Sequence, residues 1–101
     1  MIFTPITTQA ALGTSTGAAS NISSSEFVRL INSGDVNTEY LVTLEVAGGT
    51  DLGTFTLGGH ESVIIHKEST DKLFAENAAI LACGVKVIDV GQPKRFSRSS
   101  N

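Results

Sequence analysis

The sequence predicts an all-β fold: a single immunoglobulin-like β-sandwich or a small barrel, with an extended N-terminal arm and a short C-terminal tail. Three observations support this prediction. Short apolar runs alternate with period two, glycine-rich turns separate them, and only 17% of the 101 residues are charged. A chain of this length forms one domain with a single small core.

The first two predicted strands lie on either side of a cluster of turn-forming residues. Residues 27–31 form a short apolar run, and the Asn-Ser-Gly-Asp sequence at 32–35 ends it. Tyr40, Val42, Leu44 and Val46 then alternate with less apolar residues, as expected of a strand with one buried face. Gly48 and Gly49 mark the next turn.

Three further strands follow in the second half of the chain. Residues 53–57 place Phe55 and Leu57 on one face and threonines on the other. Gly58 and Gly59 then turn the chain into an apolar run at 62–67. Residues 85–90 form the last predicted strand before Gly91 and Pro93.

Residues 69–84 have features of both a helix and a strand. Thr70 or Asp71 could cap a helix that Gly84 would end, and the apolar spacing between them is compatible with a helix. However, Asn77 interrupts the run and its surroundings are β. We favour a strand at 72–75, a turn at Glu76 and Asn77, and then a long or broken strand from residue 79.

Charge divides the chain into three predicted pieces. Residues 1–25, the arm, carry no charged side chain and are rich in Ser, Thr, Ala and Gly, a composition that does not fold by itself. The body, residues 26–92, holds all ten acidic residues and four of the seven basic ones. The tail, residues 93–101, holds the other three basic residues. An acidic body repels nucleic acid, so no direct nucleic-acid binding is expected.

The usual groups of a catalytic or metal site are scarce. His60 and His66 lack the spacing of a zinc motif, no Gly-x-Ser-x-Gly sequence is present, and neither glycine pair precedes a Lys-Ser/Thr. We therefore expect no enzyme activity, metal or cofactor. Cys83 is alone, so it is expected to be a small buried residue in a reducing compartment. No apolar run is long enough for a membrane helix.

A low-charge, threonine-rich sandwich is suited to binding other copies of itself or other proteins. Exposed strand edges pair readily, and an extended arm can add a strand to a neighbour. The sequence therefore predicts partner-binding anchors in the arm and tail: Ile2, Phe3, Ile6, Leu12, Arg95, Phe96 and Arg98.

Residues 27–90 resemble small virion structural proteins of marine tailed phages, cyanophages especially. The resemblance lies in FVRLINSG at 27–34, LGTFTL at 52–57, ESVIIHK at 61–67, TDKLFA at 70–75 and VKV at 85–87. It implies a β-sandwich subunit of the phage particle. The arm and the basic tail lie outside the matched region.

From this resemblance we expect a capsid decoration (cement) protein that binds the outer surface of the head and stabilises the shell. Its partners would be the major capsid protein or other virion proteins. It would be a homo-oligomer or a lattice-bound set of copies, located in the virion after assembly in the bacterial cytoplasm. A neck, tail or fibre-associated subunit is the alternative within the same class. A carbohydrate- or receptor-binding module is the alternative from another class, although Tyr40 is the only tyrosine and no tryptophan is present to stack on a sugar.

Overall fold

A computed structural model describes residues 2–88 of the chain as eight strands and one short 3₁₀ helix at Thr16–Ala18. No helix within this range is long and apolar enough to cross a membrane. The strands are β1 (Ile2–Pro5), β2 (Ala10–Ala11), β3 (Phe27–Asn32), β4 (Glu39–Glu45), β5 (Asp51–Gly58), β6 (Ser62–His66), β7 (Lys72–Ala75) and β8 (Ile80–Ile88).

The strands form two antiparallel sheets. The five-stranded sheet has the order β1-β8-β3-β6, with β2 also pairing with β8, and the three-stranded sheet has the order β5-β4-β7. The prediction of an all-β protein is confirmed, and the arrangement is compatible with a β-sandwich. The small-barrel alternative is wrong because the sheets do not close: the turn after β5 carries the chain from one sheet to the other without pairing β5 to β6.

One hydrophobic core lies between the two sheets. Val28 and Leu30 of β3 are fully buried there against Val42 of β4 and Leu73 of β7. Tyr40, Leu44 and Phe55 are half-buried and pack against this cluster, as their alternation predicts. The inward phase of Tyr40, Val42 and Leu44 is therefore as predicted, but Val46 lies beyond the end of β4, and Thr43 and Glu45 on the other face of the strand are also buried.

The ambiguous segment after Ser69 contains no helix. It forms β7, a turn at residues 76–79, and β8, so the preference for strands is confirmed. Gly84, the candidate helix end, lies inside β8 opposite Val28. A Cβ atom at Gly84 would collide with the side chain of Ser25, which accounts for a glycine in the middle of this strand.

The N-terminal segment predicted as an extended arm follows the chain's own sheets. β1 and β2 pair with β8, and Leu12 N–H donates to the Ile80 carbonyl at 2.9 Å. Ser20 then exchanges two backbone hydrogen bonds with Leu73 of β7. Residues 2–20 therefore bridge one side of the two sheets. The predicted basic tail lies outside the described residues.

Asn32 joins the two sheets through its buried side-chain amide. Its Nδ2 donates to the Leu57 carbonyl of β5 at 3.0 Å and to the Thr38 carbonyl at 3.3 Å. Its Oδ1 accepts from Gly34 N–H at 2.8 Å. The amide thus holds the turn after β3 against the opposite sheet.

Candidate interaction surface

The described part of the chain does not bring potential metal ligands together in a cluster. No group of three or more His, Cys, Asp or Glu side chains between residues 2 and 88 could hold a metal ion. His60 occupies the turn after β5 with a φ of 64°, and His66 is exposed at the end of β6.

Cys83 is buried in β8, as predicted for a lone cysteine in an apolar run. Its Sγ donates to the Thr7 carbonyl at 3.1 Å, while Thr7 Oγ1 accepts from Gly84 N–H at 2.8 Å. Thr7 lies between β1 and β2, so these contacts fix the break between the two short strands against β8.

The outer face of the five-stranded sheet is an apolar surface that the strand registers assemble. Pro5, Val85 and Phe27 lie across β1, β8 and β3 in one register row. Adjacent rows add residues of β6 and the two ends of β8. We call this surface the apolar face; its members are Phe3, Pro5, Phe27, Ile31, Ile64, Leu81, Val85 and Val87.

Arg29 lies in the middle of the apolar face. It is opposite Cys83 on one side and Ile64 on the other. Its guanidinium carbon is 5.8 Å from the centroid of the Phe3 ring, which is the geometry of a cation–π contact. At the β6 side of the face, the rings of Phe27 and His66 are 5.1 Å apart. The face is thus apolar, with one central cation and an imidazole at its border.

The predicted anchors of the arm separate into exposed and buried residues. Ile2, Phe3 and Ile6 are 52%, 39% and 57% exposed, so their side chains are accessible. Leu12 is only 3% exposed because it packs into the core, and its assignment to a partner surface is therefore corrected. The remaining predicted anchors, Arg95, Phe96 and Arg98, lie outside the described residues.

Of the exposed arm anchors, Phe3 belongs to the apolar face. It is opposite Val87 in the register, whereas Ile2 is opposite Ile88, whose side chain lies on the other surface of the sheet. The sequence argument missed the other members of the face because it placed them inside strands. A signal was present, since residues 27–31 and 62–65 are apolar in both strand phases, apart from Arg29 and Ser62.

Two charged side chains that the sequence argument did not single out are buried. Lys67 is 2% exposed and donates through Nζ to the Glu68 carbonyl at 3.1 Å. Burial lowers the pKa of Lys67, while the charges of Asp71 and Glu26 oppose that shift. This arrangement lies at the end of β6 and supports the turn into β7.

The second buried charge, Glu45, is 1% exposed on β4. The hydroxyl of Thr16 lies 2.8 and 2.9 Å from its two carboxylate oxygens and donates to them. Thr16 belongs to the 3₁₀ helix of the N-terminal segment, so this contact is a further attachment of that segment to the three-stranded sheet.

Comparison of the chain with protein-family models, with curated proteins and with solved structures finds no match. The resemblance to phage virion proteins therefore stays a prediction from sequence.

Proposed function

We propose that this chain is a non-enzymatic structural protein of a phage particle, and specifically a capsid decoration protein that binds the outside of the head. The observation that carries the proposal is the apolar face. Phe3 and Pro5 are exposed, Val85 is buried and the other members are half-buried, so the face offers a partner a partly exposed apolar surface, a feature typical of protein-binding sites. The two antiparallel sheets around one core support an immunoglobulin-like sandwich as the finer architecture.

The apolar face indicates what the partner surface would provide. Phe3 is accessible at one border, and half-buried Phe27, Ile31 and Ile64 continue the surface across β3 and β6. Burying these side chains would stabilise the complex by about 25 cal/mol for each Å² of apolar surface removed from water. A partner would also offer a carboxylate or a carbonyl to Arg29, because a guanidinium buried without an acceptor is costly.

On a capsid, the partner would be the major capsid protein, contacted by many copies of this chain. Repeated modest contacts on a lattice give high total avidity. The protein would then act mechanically, by joining neighbouring capsid subunits, and would need no metal, cofactor, membrane or nucleic-acid contact.

The first test is the copy number of this chain, relative to the major capsid protein, in purified particles of the phage that encodes it. Quantitative mass spectrometry is expected to give a ratio near one or a simple fraction of it. A few copies per particle would instead indicate a neck, tail or fibre subunit. Absence from the particle would refute the virion proposal.

The second test asks whether the apolar face makes the attachment. Particles stripped of the protein are incubated with wild-type protein, Phe3→Lys or Val36→Lys. Val36 is 67% exposed in the turn between β3 and β4, so its variant adds the same charge away from the face. We expect Phe3→Lys alone to lose binding, because it places a second cation beside Arg29 in the contact. Equal binding by all three proteins would show that another surface attaches.

A further inference from the structure

β5 is a free edge of the three-stranded sheet. Seven of its eight residues, all except Leu52, pair with β4 on one side, and within residues 2–88 no strand pairs with its other side. By contrast, the opposite edge of this sheet, β7, is bridged by Ser20 and by the hydrogen bond from Ala75 N–H to the Gly13 carbonyl. The N-terminal segment therefore covers one edge of the sheet and leaves the other open.

The free edge lacks the features that usually prevent strands from pairing. Residues 52–58 contain no charged residue and no proline. The pairing of β5 with β4 is regular from the pair of Gly58 with Glu39 to the pair of Gly53 with Leu44. Its one irregularity lies beyond Leu44. Most of β5 is consequently a regular, uncharged strand with an unoccupied side.

The contacts of Gly58 show which backbone groups point away from β4. Gly58 N–H donates to Glu61 Oε1 at 2.6 Å, and the Gly58 carbonyl accepts from Glu61 N–H at 3.0 Å. Both groups therefore face outward. Because backbone direction alternates along a strand, the N–H and C=O groups of Thr56 and Thr54 also face outward. Glu61 occupies the end of the edge. Within residues 2–88, the outward N–H and C=O groups of the two threonines have no hydrogen-bond partner.

We propose that this edge pairs with the β5 strand of a second copy of the chain, antiparallel and about a two-fold axis at Phe55. In this register Thr54 of each copy is opposite Thr56 of the other, and the pairs exchange four backbone hydrogen bonds. The two three-stranded sheets become one continuous six-stranded sheet. A symmetric partner is favoured because the part of the edge that would pair, residues 52–58, is complementary to itself and contains no charged residue.

The side chains fit the same register. Thr54 and Thr56 are exposed on the outer surface and would form two cross-strand threonine pairs, a favourable combination in antiparallel sheets. Phe55 would lie opposite its own copy in a pair without backbone hydrogen bonds, where side chains approach most closely. Phe55 lines two shallow grooves between the edges of β5 and β6, beside Ile65 in one and Val63 in the other. Pairing would bring the two phenyl rings together at these grooves.

The experiment measures the molar mass of the full chain by sedimentation equilibrium over a range of concentrations. Wild-type protein is expected to approach twice the 10.5 kDa of the chain. Thr54→Lys/Thr56→Lys places lysines opposite one another across the axis and is expected to remain monomeric. The matched control is Thr14→Lys/Ser15→Lys, which adds the same two charges to exposed residues of the N-terminal segment and is expected to dimerise like the wild type.

Amide exchange of the wild-type protein, followed by NMR, tests the register without a substitution. The N–H groups of Thr54 and Thr56 are expected to exchange more slowly as concentration rises. Phe55 N–H, which faces β4, is the internal control and is expected to be protected throughout.

A wild-type protein that stays monomeric, a Thr54→Lys/Thr56→Lys variant that still dimerises, or fast exchange of both threonine amides in the dimer would each overturn the inference. The inference does not depend on the phage proposal, since absence of the chain from particles would leave this dimer unaffected.

Discussion

Replacing Leu12 by alanine tests whether the N-terminal segment is part of the folded domain. The side chain is 3% exposed and packs with the core between the sheets, although it lies in a segment whose composition suggested a separate arm. Removing a buried leucine side chain typically lowers the free energy of unfolding by about 2–5 kcal/mol, because burial is lost and a cavity remains. For a domain of about 100 residues, each kcal/mol corresponds to a fall in melting temperature of roughly 4–8 °C.

The matched control is Ile6→Ala, in the same segment. Ile6 is 57% exposed, so its truncation is expected to change the free energy of unfolding by no more than about 0.5 kcal/mol. The two substitutions remove similar aliphatic groups from positions six residues apart, and they differ mainly in burial.

Urea unfolding followed by far-ultraviolet circular dichroism is the suitable assay, because the chain has no tryptophan and a single tyrosine. If Leu12→Ala and Ile6→Ala unfold at the same urea concentration, the N-terminal segment does not contribute to the core in solution. The description of residues 2–20 as part of the folded domain would then be refuted.

Two further predictions concern buried polar groups. Asn32→Leu is expected to destabilise the protein by about 2–6 kcal/mol in a urea titration, because the Leu57 carbonyl and Gly34 N–H each lose a buried partner at roughly 1–3 kcal/mol. Exposed Asn37→Leu is the control, and an equal effect would contradict the cross-sheet role of Asn32. Burial places the pKa of Lys67 below its ordinary value of 10.5. The unfolded chain therefore binds the proton more tightly, and stability rises as pH increases from the folded pKa towards 10.5. The stability of Lys67→Met relative to wild type should therefore fall across that range, and a constant difference would show that Lys67 titrates normally.

Local patterns were sufficient to predict most of the strands. β4 and β5 show the alternation of apolar and polar residues that is typical of a strand with one buried face. β3 and β6 are short apolar runs, as expected of strands that are apolar on both faces. The ambiguous segment at residues 69–84 was also assigned correctly as strands once its β surroundings were considered. β1 and β2 were not predicted as strands, since a sequence such as Thr-Thr-Gln-Ala-Ala carries no periodic apolar signal and forms a strand only by pairing with β8.

The candidate interaction surfaces were harder to predict from the sequence than the strands. The sequence placed apolar anchors in the N-terminal segment, and Phe3 does lie on the apolar face, but Leu12 is in the core. The remaining members of the face come from β3, β6 and β8, which are distant in sequence and become neighbours only through the strand order. The edge pairing proposed for β5 depends on the same order, because only the assembled sheet shows which strand lacks a neighbour.

The sequence by itself determined the all-β class, the buried phase of the central strands and the scarcity of catalytic groups. These properties depend on composition and on residues two positions apart. Only the tertiary structure decided that Asn32 joins the sheets, that Glu45 is buried beneath Thr16, that Leu12 belongs to the core and that β5 is left open. Each of these depends on contacts between segments about twenty or more residues apart, and burial at such contacts is set by which surfaces meet, a property that no local pattern contains.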